Sequence, residues 1–306
     1  MTAAMIIAAS VLPEESRRKP TDDLGGVSSI KRLILVFQQA GIKRVVVVSG
    51  FDADTLEKHC AHMGVVFLRN EAYETGDMLS SVKAGLDYLK NKCTRVFITP
   101  AHIPLFSAET LKSMNSIDSP VVVPSYNKKT GHPLLLSASL FDRVLKYDGP
   151  RGLNGAVSFA GAARRSVELH DKGILADTRD RVNVGGLIEA QGLWKIRPEA
   201  KIQLSGERGF FGPGTLLLLN LTRETDSLKQ AAQQMGVSYS KALKMIACIE
   251  DQLGYKILES RQGGSGGGSS IITKKGLDLM KRYEAFEAEC AEFVKGAFEK
   301  HFGSQH

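Results

Sequence analysis

Residues 4–26 read AMIIAASVLPEESRRKPTDDLGG. The apolar opening gives way at Ser10 to Pro, Glu, Ser, Arg, Lys and a Gly-Gly pair, and no apolar period survives there. An apolar run bounded by breakers predicts a strand over 4–10 that delivers a long loop from its carboxyl end. The same alternation continues downstream. RVVVVSG (44–50), VVFLRN (65–70), RVFITP (95–100) and PVVVPSY (120–126) predict four further strands. Between them SSIKRLILVFQQAG (28–41), DADTLEKHCAHMG (52–64) and MLSSVKAGLDYLK (78–90) carry apolar residues at helical spacing. Strand–helix alternation with right-handed crossovers gives an α/β fold, a mostly parallel sheet in a three-layer, Rossmann-like arrangement. Ligands of such sheets bind beyond the carboxyl ends of the strands, so the informative residues follow the first and fourth strands.

Bulk composition sets the outer limits. A chain of 306 residues, 43% of them hydrophobic, can build two cores. A net charge of +7 favours an anionic partner. Cys60, Cys93, Cys248 and Cys290 show no CxxC or metal-finger spacing and read as reduced thiols of a cytoplasmic protein. The opening MTAAMIIAAS lacks a basic n-region, and no apolar run approaches the roughly 20 residues of a membrane span, so neither a signal peptide nor a membrane partner is expected.

The pattern changes near residue 190. VGGLIEAQGLW (184–194) is marked by glycines and places a domain boundary at 185–193, giving domains 1–188 and 189–306. LWKIRPEAKIQLSG (193–206) alternates like a strand, and three helices follow. The first covers about 214–223. The second, SLKQAAQQMG, is capped by Asp226 or Ser227, and the third, SYSKALKMIACIEDQLG, by Ser238. Leu228, Ala231, Ala232 and Met235 line the second, and Leu243, Ile246, Ala247 and Leu253 the third. Two short helices joined at Gly236 read as a helix-turn-helix.

Beyond the third helix, YKILES and SSIIT flank the run RQGGSGGGSS (261–270), in which eight residues from Gly263 hold five glycines and three serines. Strand patterns on both sides make this a wing rather than a tether, since a loop without Cβ atoms can follow a phosphate backbone closely. From Lys229 to Arg282 nine Lys/Arg stand against four acids, an excess of +5 suited to phosphates of double-stranded DNA. Ser238, Tyr239, Ser240, Lys241 and Lys244 open the recognition helix and are assigned to the major groove. Arg261, Gln262, Gly263, Gly264, Gly266 and Gly267 are assigned to the backbone or minor groove. A terminal helix over about 274–302 carries Leu277, Met280, Tyr283, Phe286, Cys290, Phe293, Ala297 and Phe298 on one stripe, longer than a small domain covers, which predicts a homodimer.

Two resemblances sharpen this reading. The first strand and its loop resemble the signature of MobA/MocA-like nucleotidyltransferases, AAG-x-S-x-R-M-G-x-x-K-P followed by Leu-Gly-Gly. Ala8, Ala9, Lys19, Pro20, Leu24, Gly25 and Gly26 match, whereas Ser10, Leu12, Glu14 and Ser16 stand where the family has its phosphate-cradling Gly, Ser, Arg and Gly. NEAYETGDMLSSVKAGL (70–86), with Gly76 and Ser80, and Gly131-His132-Pro133 continue the match. After the fourth strand the family's Pro-x-Asp-x-Pro, whose aspartate holds Mg²⁺, reads Pro100-Ala101-His102-Ile103-Pro104. LADTRDRVN (175–183) keeps Asp177 and Thr178 of a later motif, with Arg179 in place of proline.

The resemblance implies a nucleotide or pterin ligand near Ala8, Ala9, Ser10, Lys19, Gly76, Ser80, His102, Gly131 and His132. If activity survives, Lys19 and Asp177 are its carriers, with Mg²⁺ as cofactor and His102 and Asp177 as candidate metal ligands. Asp77 and Asp171 are candidate carboxylates to approach His102. Loss of the cradle, the arginine and the metal carboxylate together predicts a domain that no longer turns over nucleotide.

The segment from FFGPGTLLLLNL (210–221) to ESRQGGSGGGSSIITKKGLDLMKRYEAFE (259–287) is similar to the DNA-binding domain of ModE-type molybdate-responsive regulators, a dimeric winged helix with Arg-x-Gly-Gly-x-Gly-Gly-Gly and then Leu-Thr-x-x-Gly. Ile272 replaces the leucine, and Thr273 and Gly276 match. Together the two imply a transcriptional regulator tied to molybdenum-cofactor metabolism, with a nucleotidyltransferase-like sensor. The alternative is an active molybdopterin cytidylyl- or guanylyltransferase that also binds DNA.

Overall fold

The computed structural model describes residues 1–9, 19–74, 77–179, 187–188, 198, 200–261 and 269–302. The chain divides into two compact units, Met1–Leu193 and Trp194–His306. Among the described residues no helix is long and apolar enough to cross a membrane.

In the first unit β1 (Thr2–Ala8), β2 (Arg44–Ser49), β3 (Val66–Arg69) and β4 (Arg95–Pro100) pair in parallel in the order β3-β2-β1-β4. The sheet continues with β5 (Val121–Tyr126), β6 (Lys129–Thr130), β7 (Leu134–Ser137) and β8 (Arg164–Glu168). β7 inserts antiparallel between β4 and β5, β6 closes a hairpin on β5, and β8 pairs with β5 in parallel. The mostly parallel sheet expected from the sequence is present. Its first strand ends at Ala8, where its partners end: β4 finishes at Pro100 opposite Ile7 and β2 at Ser49 opposite Ala8, while residue 10 of the expected strand lies outside the described residues.

The connecting helices are α1 (Ser29–Gln39), α2 (Ala53–His59), α3 (Met78–Leu89), α4 (Ala108–Asn115), α5 (Phe141–Leu145) and α6 (Gly152–Phe159). Alternation along β1 decides which face each covers. Ala4 and Ile6 join one cluster with Ile30, Leu33, Ile34 and Phe37 of α1 and Leu111 and Met114 of α4. Met5 turns to the opposite face and meets α3, where a Cβ on Gly85 would lie 2.5 Å from its Cε. Phe37 sits between Phe97 and Phe106 at centroid distances of 6.1 and 5.8 Å.

The second unit opens with a small hairpin of β9 (Leu204–Ser205) and β10 (Gly209–Phe211). Of the strand expected over 193–206, only its last part is a strand, while residues 193–197 and 199 lie outside the described residues. α7 (Pro213–Thr225), α8 (Leu228–Gln234) and α9 (Tyr239–Leu253) follow. Asp226 takes the left-handed conformation that ends α7, and the Ser227 side chain caps α8 by accepting from the Gln230 N–H. Ser238 does the same for α9 with the Lys241 N–H, and Gly254 closes that helix at φ 69°.

β11 (Leu258–Arg261) and β12 (Ser269–Ile272) form an antiparallel pair, with Leu258 opposite Ile272 and Arg261 opposite Ser269. Glu250 of α9 anchors this pair by accepting from the Ile257 and Leu258 N–H groups. α10 (Lys274–Phe302) closes the chain. Its Tyr283 packs edge-on against Phe211 at 5.0 Å and donates its hydroxyl to the Ile202 carbonyl at 2.7 Å.

One expectation about a face needs correction. α9 buries Ala242, Ile246 and Ile249, whereas Leu243 is 45% exposed, Ala247 is exposed and Leu253 only half-buried. Both sets repeat at helical spacing, so periodicity alone does not select the buried one. On the terminal helix Met280 and Tyr283 are buried, but Leu277, Phe286 and Phe293 are exposed, Phe293 by 77%.

Candidate functional site

In the first unit the chain leaves β1 toward β2 on one side and reaches β4 on the other, so the order reverses between β1 and β4. A crevice at such a reversal, beyond the carboxyl ends of the strands, is where this architecture places ligands. Ala8 and Ala9 lie at the end of β1, and Ala101 donates to the Ile7 carbonyl at 2.9 Å, bringing His102 alongside. The segment carrying Asp177 is stitched to the same place. Thr178 donates both its N–H and its hydroxyl to the His102 carbonyl, at 2.8 and 3.1 Å. His102 Nε2 is then 3.9 Å from Asp177 Oδ2.

His132 joins them from another direction: its N–H donates to the Ile174 carbonyl at 2.9 Å. Gly131 before it explains itself by packing, since a Cβ there would lie 2.3 Å from that same carbonyl oxygen. Residues 102, 132 and 177 are thus assembled by the fold, although far apart in sequence. Burial lowers the His102 imidazole to about 4, with Asp177 pulling upward and Arg179 and His132 downward. Burial lowers His132 as well, again opposed by Asp177. Both rings are therefore neutral near pH 7. Partial burial disfavours the charged form of Asp177, but the bonds from Arg179 overcome this and hold its pKa below the ordinary value.

The other sequence candidates have different duties. Lys19 Nζ stands 3.7 Å from Asp52 Oδ2, and the Lys19 N–H donates to Asp22. Ser80 belongs to the cap of α3: its N–H donates to Asp77 Oδ1, and its hydroxyl donates to the Asp77 carbonyl and accepts from Asn70. The carboxylate at His102 is that of Asp177, not Asp77 or Asp171. Asp77 caps α3, while Asp171 accepts from the Gly173 and Ser107 N–H groups and the Thr110 hydroxyl. Ser10 and Gly76 lie outside the described residues, as do Leu12, Glu14 and Ser16.

Arg179 is the residue whose part sequence reasoning missed. Its Nε donates to both Asp177 oxygens at 2.9 and 3.0 Å, its Nη2 donates to Oδ2, and its backbone N–H donates to Oδ1 at 3.0 Å. A pair two residues apart in an irregular segment has no periodicity to betray it.

The second unit offers a different surface. Ser238, Tyr239, Ser240, Lys241 and Lys244 are exposed on the first turns of α9, Tyr239 by 47%. Lys241 and Lys244 border a groove of about 470 Å³ together with Lys201, Phe210 and Thr215. Other cations are engaged: Lys256 pairs with Glu250 at 2.6 Å, Arg282 with Asp278 at 3.8 Å, and Lys275 lies over the Tyr255 ring. Arg261 ends β11, and Gln262, Gly263, Gly264, Gly266 and Gly267 lie outside the described residues.

Residues 15–167 match the MobA-like NTP transferase domain. The chain belongs to that family. Solved structures agree on the fold of this MobA-like unit. A nucleotidyl transferase from Methanothermobacter is 19% identical with a TM-score of 0.53, covering 62% of this chain and 99% of its own. The Mycobacterium sp. strain JC1 homolog of Rv0371c is 14% identical with a TM-score of 0.52, covering 62% and 98%. A curated relative, the molybdenum-pterin-binding protein MopB of Rhodobacter capsulatus, is 30% identical over 89 residues, which is 29% of this chain. The match spans only a third of that relative's length.

Members of the MobA-like family commonly use Mg²⁺, and the described residues do not fit that ion. Magnesium demands oxygen ligands in near-octahedral array. Here a neutral imidazole stands at position 102, and both Asp177 oxygens are bonded by Arg179. Among the described residues no group of three His, Cys, Asp or Glu could hold a metal.

The neutral histidines carry a pH signature. The unfolded chain protonates His102 near 6.5, whereas the fold resists until about 4. In that window the unfolded state binds more protons. Stability is therefore complete above pH 6.5 and declines as pH falls toward 4, by at most roughly 3 kcal/mol from His102. Urea unfolding at pH 7 and pH 4.5 should show a smaller loss in His102→Asn than in the native chain. Identical losses would mean that His102 is not held neutral.

Proposed function

We propose that the chain is a DNA-binding transcriptional regulator tied to molybdenum-cofactor metabolism. Its second unit acts as a ModE-type winged helix-turn-helix, and its MobA-like unit as a ligand sensor without turnover. The observation that carries the reading is the succession in the second unit. A short helix, a turn at Gly236 and a longer helix present exposed Ser238, Tyr239, Ser240, Lys241 and Lys244, and an antiparallel pair follows directly. A helix with polar and cationic residues on its first exposed turns suits the major groove, and the loop between β11 and β12 suits the adjacent backbone. The similarity to a molybdenum-pterin-binding protein supports the metabolic link.

Family membership favours the alternative, a working nucleotidyltransferase of the molybdopterin cytidylyl or guanylyl class. Arg179 on Asp177 and His102 in the crevice count against it, since phosphoryl chemistry draws its rate from positioned metal and charge. A nucleotide or pterin is the ligand class we assign to the crevice. The ligand would act by binding one state of the protein more tightly than another.

The exposed Phe286, Phe293 and Phe302 of α10 are assigned to contact with a second copy of the chain. Sedimentation of the full chain should return a dimer of a 33.2 kDa protomer, and a monomer at micromolar concentration would exclude it. The DNA reading is tested by titrating the full chain against a duplex and against one of its single strands. Preference for the duplex supports it, and equal or absent binding sinks it.

A further inference from the structure

The Arg179 guanidinium is planar with five N–H donors. Nε and Nη2 are spent on Asp177, together with the backbone N–H of the same residue. Nη1 has no partner among the described residues, and the Arg179 side chain is 39% exposed, so it can meet a ligand. The carboxylate beneath it is fully committed. A divalent cation could reach Asp177 only by breaking several charge-assisted bonds at once. The pair cannot swing away easily either, because Thr178 between them is buried and doubly bonded to the His102 carbonyl.

We propose that Arg179 is the crevice's built-in cation: it closes Asp177 to divalent metal and receives an anionic group of the ligand, a phosphate or diphosphate, through Nη1. The ligand half rests on the sensor reading of the MobA-like unit, and the metal half does not. Neither depends on DNA binding, so failure of the duplex titration leaves this proposal standing, and its own failure leaves that titration untouched.

The metal half is tested with Mn²⁺ alone, followed by electron paramagnetic resonance on the full chain. The native protein should bind no Mn²⁺ up to about 1 mM. Arg179→Gln should gain a weak site, with Asp177 and His102 as its two protein ligands and water for the rest, that disappears again in Arg179→Gln/Asp177→Asn, while Arg179→Lys, which keeps the charge, should remain without one. Manganese binding by the native protein that is lost in Asp177→Asn overturns the proposal, and so does failure of Arg179→Gln to gain a site while its circular dichroism matches the native chain. The ligand half is tested with pyrophosphate in EDTA by calorimetry. Metal-free binding weakened at least tenfold in Arg179→Gln is expected. Binding only when Mg²⁺ is added, or none in either condition, overturns this half.

Discussion

Gly173→Ala is expected to destabilise the MobA-like unit by about 3 kcal/mol or more. A Cβ at this position would lie 1.7 Å from the Leu105 carbonyl oxygen and 2.3 Å from its carbon. Both are backbone atoms, so no rotamer change relieves the overlap, and one chain segment must move away from the other. The movement would propagate. Asp171, two residues earlier, holds the start of α4 through Ser107 and Thr110, and Thr178, five residues later, holds His102. The variant should therefore lose both stability and the neutral His102–Asp177 arrangement. Urea unfolding at pH 7 checks it, and a change within about 0.5 kcal/mol would show that the crossing of 173 over 105 is not tight.

Lys241→Ala/Lys244→Ala is expected to weaken binding to duplex DNA by about 10- to 100-fold and to reduce the slope of log affinity against log salt by about 2. Both lysines are exposed on the first turns of α9, and neither has an ion-pair partner among the described residues. Their charge is thus available to phosphates, in contrast to Lys256, which Glu250 holds at 2.6 Å. Lys256→Ala is the internal control: it removes one charge from a paired site and should cost much less than half the loss of the double variant on the log scale. A control loss half as large as that of the double variant on the log scale would mean that affinity follows net charge rather than the face of α9. Neither substitution touches the buried face of Ala242, Ile246 and Ile249, so the fold should hold.

What was legible in the sequence is what is encoded locally. The caps at Ser227 and Ser238 and the stop at Gly254 each follow from the chemistry of one or two residues, and α8 and α9 begin and end where those residues place them. The apolar runs that became β2, β4 and β5 are legible because both faces of an interior strand of a sheet covered on both sides are buried. β8 is not legible, because Arg164, Arg165 and Ser166 are exposed and an edge strand needs no apolar alternation. β7 is only four residues long and is placed by pairing on both sides.

The crevice was half legible. His102 stands out because it follows β4, but its partners come from residues 132 and 177 through backbone bonds to Ile174 and from Thr178, which no local pattern announces. The buried side of α9 illustrates a related limit. Ala242 and Leu243 are neighbours that begin two equally periodic stripes, and tertiary packing, not periodicity, buries the one with Ala242, Ile246 and Ile249.

The measurement that bears most directly on the regulatory reading is the affinity of the full native chain for duplex DNA between 50 and 300 mM salt. Log affinity should fall linearly with log salt with a slope steeper than about −3, as expected when several lysines and arginines displace counterions. Failure to bind duplex at the lowest salt, or binding that salt does not weaken, would contradict it and return the chain to the nucleotidyltransferases.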